Sequence, residues 1–96
     1  MRHRLTSAAF NELRQALRYY EDAQPGLGTS FLDEIEAAIR RISAHPEAWQ
    51  PLSKRSRRCR VKRFPFGVVY QIRATEILVL GILDLRTDPR SWQHLL

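Results

Sequence analysis

Cysteine and histidine are scarce in this 96-residue chain. Cys59 is the only cysteine, so no disulfide can form within the chain, which suits a reducing compartment. The three histidines, His3, His45 and His94, lack the spacing of a zinc site, and the glycines form no phosphate-cradling loop. We therefore expect neither a metal ion nor any other cofactor.

Long apolar runs are missing as well. The longest, Ile77 to Leu83, falls well short of the ~20 residues that a helix needs to cross a bilayer. The charges of MRHRLTSAAF are not followed by the apolar segment of a secretory signal. These absences predict a cytoplasmic protein with no membrane partner.

Acidic residues are outnumbered, because 16 Lys and Arg face 10 Asp and Glu and leave a net charge of +6. Fourteen of the cations are arginines, whose planar donors suit phosphate or carboxylate better than lysine does. A hydrophobic content of 44% supports one small core, so we predict a single domain over residues 1–96. Such a domain is marginally stable alone, and its charge favours an anionic partner.

The first half of the chain has helical periodicity. Arg2 to Leu5 is expected to form a short strand, and Thr6 or Ser7 to cap a first helix. The apolar stripe of that helix consists of Phe10, Leu13, Leu17 and Tyr20.

A second helix is predicted after a turn at Pro25, Gly26 and Gly28, with Thr29 or Ser30 as its cap. His45-Pro46 should end it. Its stripe consists of Phe31 or Leu32, Ile35, Ala38 or Ile39, and Ile42. The two stripes predict a helical hairpin with one apolar seam.

The second half changes to a period of two, which is typical of strands. A loop over Glu47 to Ser56 precedes a strand through Arg58, Arg60 and Lys62, and Phe64 to Gly67 forms a turn. Two more strands follow, Val68 to Arg73 and Ile77 to Leu85, and then a turn with a short helix around Trp92. We predict an α+β fold with the order β-α-α-β-β-β, in which the hairpin packs on one face of an antiparallel sheet. The other face is expected to be solvated.

The basic segment from Gln50 to Pro65 is the strongest functional signal, because it holds seven cations and no acid. Arg58, Arg60 and Lys62 share one face of a strand at steps of roughly 6.5–7 Å, similar to successive phosphates of a nucleic-acid strand. The alternative is an edge strand whose charges prevent aggregation. One or two cations would suffice for that purpose, so an anion-binding surface is favoured.

Two further candidates follow the last strand. Arg86 either belongs to a site at the strand end or forms a salt bridge with Asp84 or Asp88. Trp92 either stacks on a base or caps the core, and the second is favoured.

Several stretches together resemble the RelE/ParE superfamily of type II toxin–antitoxin systems. They are YYE…PGLG…FL.E in the helices, RFPFGVVYQI in the strands and R.DPR.W near the end. The resemblance implies a small, growth-inhibitory toxin that forms a hetero-oligomer with an acidic antitoxin encoded beside it. That partner would cover the outer side of the hairpin and the basic face; its contact residues are not predicted.

Two mechanisms divide the superfamily, and the resemblance maps residues onto each. RelE-like members cleave mRNA on the ribosome without a metal ion, with second-strand cations, an Arg at the start of the third strand, an Arg closing the fourth and an aromatic acid or base. Arg58 and Arg60 match the second-strand cations, Arg86 matches the closing Arg, and Trp92 falls at the aromatic position. Gly67 stands where the third-strand Arg would be. ParE-like members instead poison DNA gyrase.

These departures decide which mechanism is favoured. Arg58, Arg60 and Arg86 can stabilise phosphate charge, but Arg does not act as a base and Trp has no useful ionisation. We therefore expect a ParE-like gyrase toxin, with a RelE-like mRNA endonuclease as the alternative and a non-toxic antitoxin-binding module as the third. The predicted target- or anion-binding residues are Arg58, Arg60, Lys62, Arg63 and Arg86.

Overall fold

The computed structural model describes all residues from 1 to 96 as two helices packed on a five-stranded sheet, with a short 3-10 helix at the end. No helix has the length and apolarity that a membrane span requires. The elements in chain order are β1 (Arg2–Leu5), α1 (Ser7–Ala23), α2 (Leu27–Ala44), β2 (Gln50–Pro51), β3 (Ser56–Arg60), β4 (Phe66–Ile72), β5 (Glu76–Asp84) and the C-terminal 3-10 helix (Pro89–Leu95).

The strand order is β1-β5-β4-β3-β2. The α+β class and the helical hairpin are confirmed, but the sheet is mixed, because β1 runs parallel to β5. The β4–β5 hairpin fixes the direction of β5, and the first strand of the chain then pairs with the free edge of the last. The two-residue strand β2 was not predicted, since two residues have no periodicity to detect.

Helix α1 begins as the sequence indicates, with Thr6 Oγ1 accepting a hydrogen bond from the Ala9 amide at 3.1 Å. Its buried face contains Ala9, with Leu13, Leu17 and Tyr20 packed against the core. The assignment of Phe10 to that face is wrong, since its side chain is 51% exposed. Ala9 occupies the centre of the stripe, and Phe10 lies one residue, about 100°, farther round the helix.

Helix α2 starts at Leu27, two residues before the predicted caps, and Gly26 precedes it with a left-handed φ of 90°. A side chain from the other helix does the capping: the Glu21 carboxylate accepts hydrogen bonds from the Gly26 and Gly28 amides at 3.0 Å. The helix ends at Ala44, before His45-Pro46, as predicted. Its buried residues include Phe31, Ile35, Ala38, Ile39 and Ile42.

The core between the helices and the sheet centres on four aromatic rings. Tyr20, Phe31, Phe64 and Phe66 pack with ring centroids 4.9–6.1 Å apart, mostly edge to face. Tyr70 is fully buried, and its hydroxyl donates to the carbonyl of Pro46. This contact ties the centre of the sheet to the chain just after α2.

The second face of the sheet is partly covered, which corrects the prediction that it is solvated. Val69 and Ser56 have no exposed surface, although register places them on the face away from the helices. Ser56 Oγ donates to the Leu95 carbonyl at 2.9 Å, and a methyl group on Gly81 would meet Leu95 Cδ1 at 2.7 Å. The C-terminal segment therefore lies against this face.

Candidate functional site: an arginine face beside Gly67

Strand β3 divides its side chains between the two faces of the sheet. Cys59 and the following Val61 are buried in the helix-facing core. Arg58 and Arg60 therefore lie on the opposite face, beside Val69 and Gly67 of β4. The structure brings these two predicted site residues together, and we call them the arginine face.

Arg58 is half-buried and lies across Gly67. A Cβ on Gly67 would be 2.9 Å from Arg58 Cδ and 3.0 Å from Cγ, so the missing side chain gives the arginine stem its room. Arg58 Nη2 donates to Gln50 Oε1 at 2.7 Å, while Nε is buried without an acceptor. Burial, and then the charge of Arg60, lower the pKa of Arg58 from its usual value.

Arg60 is exposed, and its side chain forms no hydrogen bond or ion pair. Its position is fixed through the backbone, because Arg41 Nη2 of α2 donates to the Arg60 carbonyl at 3.2 Å. Arg58 is thus held by its surroundings, whereas Arg60 presents an unpaired guanidinium to solvent.

Three cations were predicted to lie in a row on one strand, and two of them, Arg58 and Arg60, do so. Strand β3 ends at Arg60, so Lys62 lies in the exposed loop that follows. Arg63, in a left-handed conformation with φ of 70°, points to α2, where its Nη1 lies 3.8 Å from Glu34 Oε2. Arg63 is therefore paired, and Lys62 remains available at the tip of the hairpin.

Arg86 forms a salt bridge with Asp84, which was one of the two roles predicted for it. Its Nε and Nη2 donate to the two carboxylate oxygens of Asp84 at 3.0 and 2.8 Å. The hydrogen bond from Arg86 keeps the pKa of Asp84 below its usual value. Asp84 pairs in register with Phe66 of the aromatic core, and partners in register share one face of the sheet. Arg86 thus lies at the helix-facing side, away from the arginine face.

Trp92 lies in the C-terminal 3-10 helix and is half-buried, in keeping with a role in covering the fold. Its indole Nε1 is buried without an acceptor, a property shared only with Arg58 Nε. His94, two residues later, is exposed. No group of three or more His, Cys, Asp or Glu side chains is arranged to hold a metal ion.

Two features of the site were not predicted. Gln50 orients Arg58, and it belongs to the short strand that periodicity could not reveal. Arg57 lies on the helix-facing side, where Nη1 donates to the carbonyls of Glu47 and Trp49 at 2.9 Å. Because Arg57 and Cys59 are two residues apart on one strand, alternation alone could have predicted that Arg57 shares the helix-facing side with Cys59.

The arrangement is suited to binding an anion. Two guanidinium groups on neighbouring positions of one strand face can contact a phosphate or a carboxylate through planar, charge-assisted hydrogen bonds. Guanidinium groups do not act as general acids or bases in ordinary protein chemistry, so the pair supplies charge rather than proton transfer.

A family profile and a solved structure that match this chain both describe toxin–antitoxin proteins. The family profile described as "ParE toxin of type II toxin-antitoxin system, parDE" matches residues 4–89, a span that ends before Trp92. Among solved structures, the chain is similar to one titled "Chromosomal ParDE TA system from P. aeruginosa", with a TM-score of 0.77 and 19% sequence identity. That match covers 88% of this chain and 96% of the other, and at this identity it supports the fold alone. No curated protein gives a significant match.

Proposed function

Because this chain belongs to the ParE toxin family of type II toxin–antitoxin systems, we propose that it arrests growth in the cytoplasm by poisoning DNA gyrase, and that a cognate antitoxin neutralises it. The toxin assignment follows from the family. The gyrase target and the neutralisation are proposals, and each is argued from the surface described above.

The observation that carries the gyrase proposal is the packing of Arg58 across Gly67. In a RelE-like nuclease, an arginine would occupy the position of Gly67. Here the space above that position is filled by the stem of Arg58, so a third cation has no room beside the other two. The arginine face is therefore better suited to docking on a target than to arranging an RNA phosphate for cleavage.

The alternative is an mRNA endonuclease, and the pairing of Arg58 with Arg60 on one face favours it. Cleavage requires a group that removes the 2′-hydroxyl proton as well as charge at the phosphate. The other candidates lie elsewhere or are engaged, since Arg86 is bound to Asp84 and Trp92 Nε1 is buried. The endonuclease is therefore the second hypothesis.

Neutralisation is proposed to involve the outer side of α1. Phe10 and Tyr19 are 51% and 62% exposed, and they lie on opposite flanks of the outer side, because a separation of nine residues turns their directions about 180° apart around the helix. Arg14 lies over the Phe10 ring at 5.9 Å and Arg18 follows one turn later. An antitoxin with apolar anchors and acidic residues would complement this surface.

The direct experiment is a supercoiling assay with purified gyrase and relaxed plasmid. The wild-type toxin should block supercoiling, and Arg60→Gln should require at least about tenfold more protein, the loss expected from a central charged contact. Arg2→Gln, which removes the same charge from the exposed strand β1, is the matched control. Full supercoiling at saturating wild-type toxin would overturn the gyrase proposal.

A parallel measurement tests the alternative. Primer extension on mRNA from arrested cells should show intact transcripts if gyrase is the target. Codon-positioned cuts that disappear in Arg60→Gln would favour the endonuclease. Normal growth on expression without an antitoxin would instead favour a non-toxic binding module.

A further inference from the structure

A second basic site lies at the end of the sheet where β3 begins and β4 ends. The loop before β3 and the last residues of β4 enclose a cleft of about 440 Å³. Four of its lining residues are the cations Lys54, Arg55, Arg57 and Arg73, and none of its lining residues is acidic. Arg57 Nη1 is engaged by the Glu47 and Trp49 carbonyls, so the other three are the candidate anion ligands. We call it the Lys54 cleft. It shares no residue with the arginine face.

None of the cations of the cleft has a carboxylate partner. Elsewhere, Arg4, Arg63, Arg86 and Arg90 each form an ion pair with an Asp or Glu. Lys54, Arg55 and Arg73 form none, although they line one concave surface. Like charges gathered in a cleft repel one another, so this grouping is stabilised by any anion that enters.

Several donors in the cleft are already positioned. Gln71 Oε1 accepts hydrogen bonds from Arg73 Nε and Nη2 at 3.1 and 2.8 Å, which orients that guanidinium and leaves Nη1 unpaired. Ser53 Oγ accepts from the amides of Arg55 and Ser56 at 3.2 and 3.1 Å, which leaves its own hydrogen to donate. A hydroxyl, a lysine and two arginines are the donors that phosphate oxygens require.

We propose that the Lys54 cleft binds a phosphate group of a nucleic-acid backbone. The proposal does not depend on which target the toxin has. The arginine face is a separate surface farther along β3, because Ser56 lies between it and the cleft and is buried under Leu95.

The lining of the cleft distinguishes a nucleic acid from an acidic peptide. Peptide ligands gain much of their affinity from apolar side chains in pockets. Ile72 is the only hydrophobic residue that lines the cleft. A phosphodiester backbone requires charge and hydrogen-bond donors alone, which is what the cleft supplies.

The test measures binding of a fluorescent 20-nucleotide single strand to the full-length toxin by anisotropy, across a range of salt concentrations. The variant Lys54→Gln/Arg55→Gln/Arg73→Gln should bind about tenfold or more weakly. Its slope of log K against log salt should be shallower by about 2, since each lost phosphate contact removes about 0.7. The matched control, Arg2→Gln/Arg14→Gln/Arg18→Gln, removes the same charge from β1 and α1 and should keep most of the affinity and slope.

Two further measurements make the outcome decisive. In NMR titrations, inorganic phosphate should shift the amide resonances of residues 53–56 in the wild-type protein. In a single Arg55→Gln variant the same resonances should shift less. This remains informative if the triple variant does not fold. Equal losses in the two triple variants would show that only net charge matters and would overturn the proposal. So would a poly-glutamate peptide that binds the cleft as tightly as the oligonucleotide at the same ionic strength.

Discussion

The side chain of Arg58 crosses Gly67 diagonally, from a strand position whose register partner is Val69 rather than the glycine itself. Gly67 pairs with Arg60, so one backbone position contacts both arginines of the face: one by register and the other by packing. The size of residue 67 therefore controls where the Arg58 guanidinium lies.

The first prediction concerns this contact. Gly67→Ala should destabilise the fold by about 1 kcal/mol, because the new methyl group must displace Arg58 and approaches Leu85 Cδ2 at 3.3 Å. Arg58→Ala removes the obstacle, so the double variant should be more stable than the sum of the single effects by about 0.5–1 kcal/mol. Urea unfolding of the four proteins measures this coupling. Strict additivity would mean that the contact carries no energy.

The second prediction separates the two arginines of the face. Arg60→Glu should abolish toxicity with little change in melting temperature, because its side chain is exposed and unpaired. Arg58→Glu should lower the free energy of unfolding by about 1–3 kcal/mol, since it removes the bond to Gln50 and places a carboxylate on a half-buried site. Thermal unfolding and growth after induction give the two readouts. An equally large loss of stability in Arg60→Glu would contradict this assignment.

The third prediction is a loss of stability at alkaline pH. Burial raises the pKa of Tyr70 to about 12 from a usual value of 10. The folded state therefore keeps a proton that the unfolded state releases, so this stabilisation is complete below pH 10 and is lost as the pH rises to 12. Two pKa units correspond to at most about 2.7 kcal/mol.

Tyr70→Phe is the control for that measurement. It removes the titrating group and should flatten the pH dependence between pH 10 and 12 relative to wild type. At pH 8 it should be less stable by about 1 kcal/mol, because its hydrogen bond to the Pro46 carbonyl is lost. Chemical unfolding at each pH provides the data, and parallel curves for the two proteins would refute the assignment to Tyr70.

The fourth prediction concerns the antitoxin. Tyr19→Ser and Phe10→Ser should weaken binding of the cognate antitoxin by about tenfold or more, as expected for exposed aromatic anchors. Their stability should change by less than about 0.5 kcal/mol, because both rings are largely exposed. Calorimetric titration measures the affinity. The control is Ile72→Ser, another exposed apolar residue on a different element, and equal weakening by all three variants would argue against a surface on α1.

The fold was largely predictable because its elements carry strong local signals. Thr6 is a residue type that favours helix N-caps, and it caps α1. The apolar residues from Phe31 to Ile42 recur at helical spacing, and His45-Pro46 ends the second helix. The parallel pairing of β1 with β5 was not predictable in the same way. This pairing depends on contacts between residues near the two ends of the chain. Such contacts leave no local pattern in the sequence of β1 or of β5.

The candidate site was predicted less completely, and for a similar reason. Alternation placed Arg58 and Arg60 together, but it could not show that Arg86 turns to Asp84 or that Arg58 bonds to Gln50. Nor could it show the C-terminal segment folding back over Ser56. Partners distant in sequence decide which cations are left unpaired, and only the folded chain reveals them.

The pairing of β1 with β5 also determines when the sheet can be completed during synthesis. Arg2 to Leu5 must wait for Glu76 to Val79 before they have a partner, so the sheet cannot close while the chain is being made. Helices α1 and α2, which depend on neighbours in sequence, can form earlier. The arginine face on β3 and β4 comes later in the chain than the helical hairpin, and the partner of β1 comes later still. The two ends of the chain therefore meet last, and the sheet is completed only after both helices of the hairpin have been synthesised.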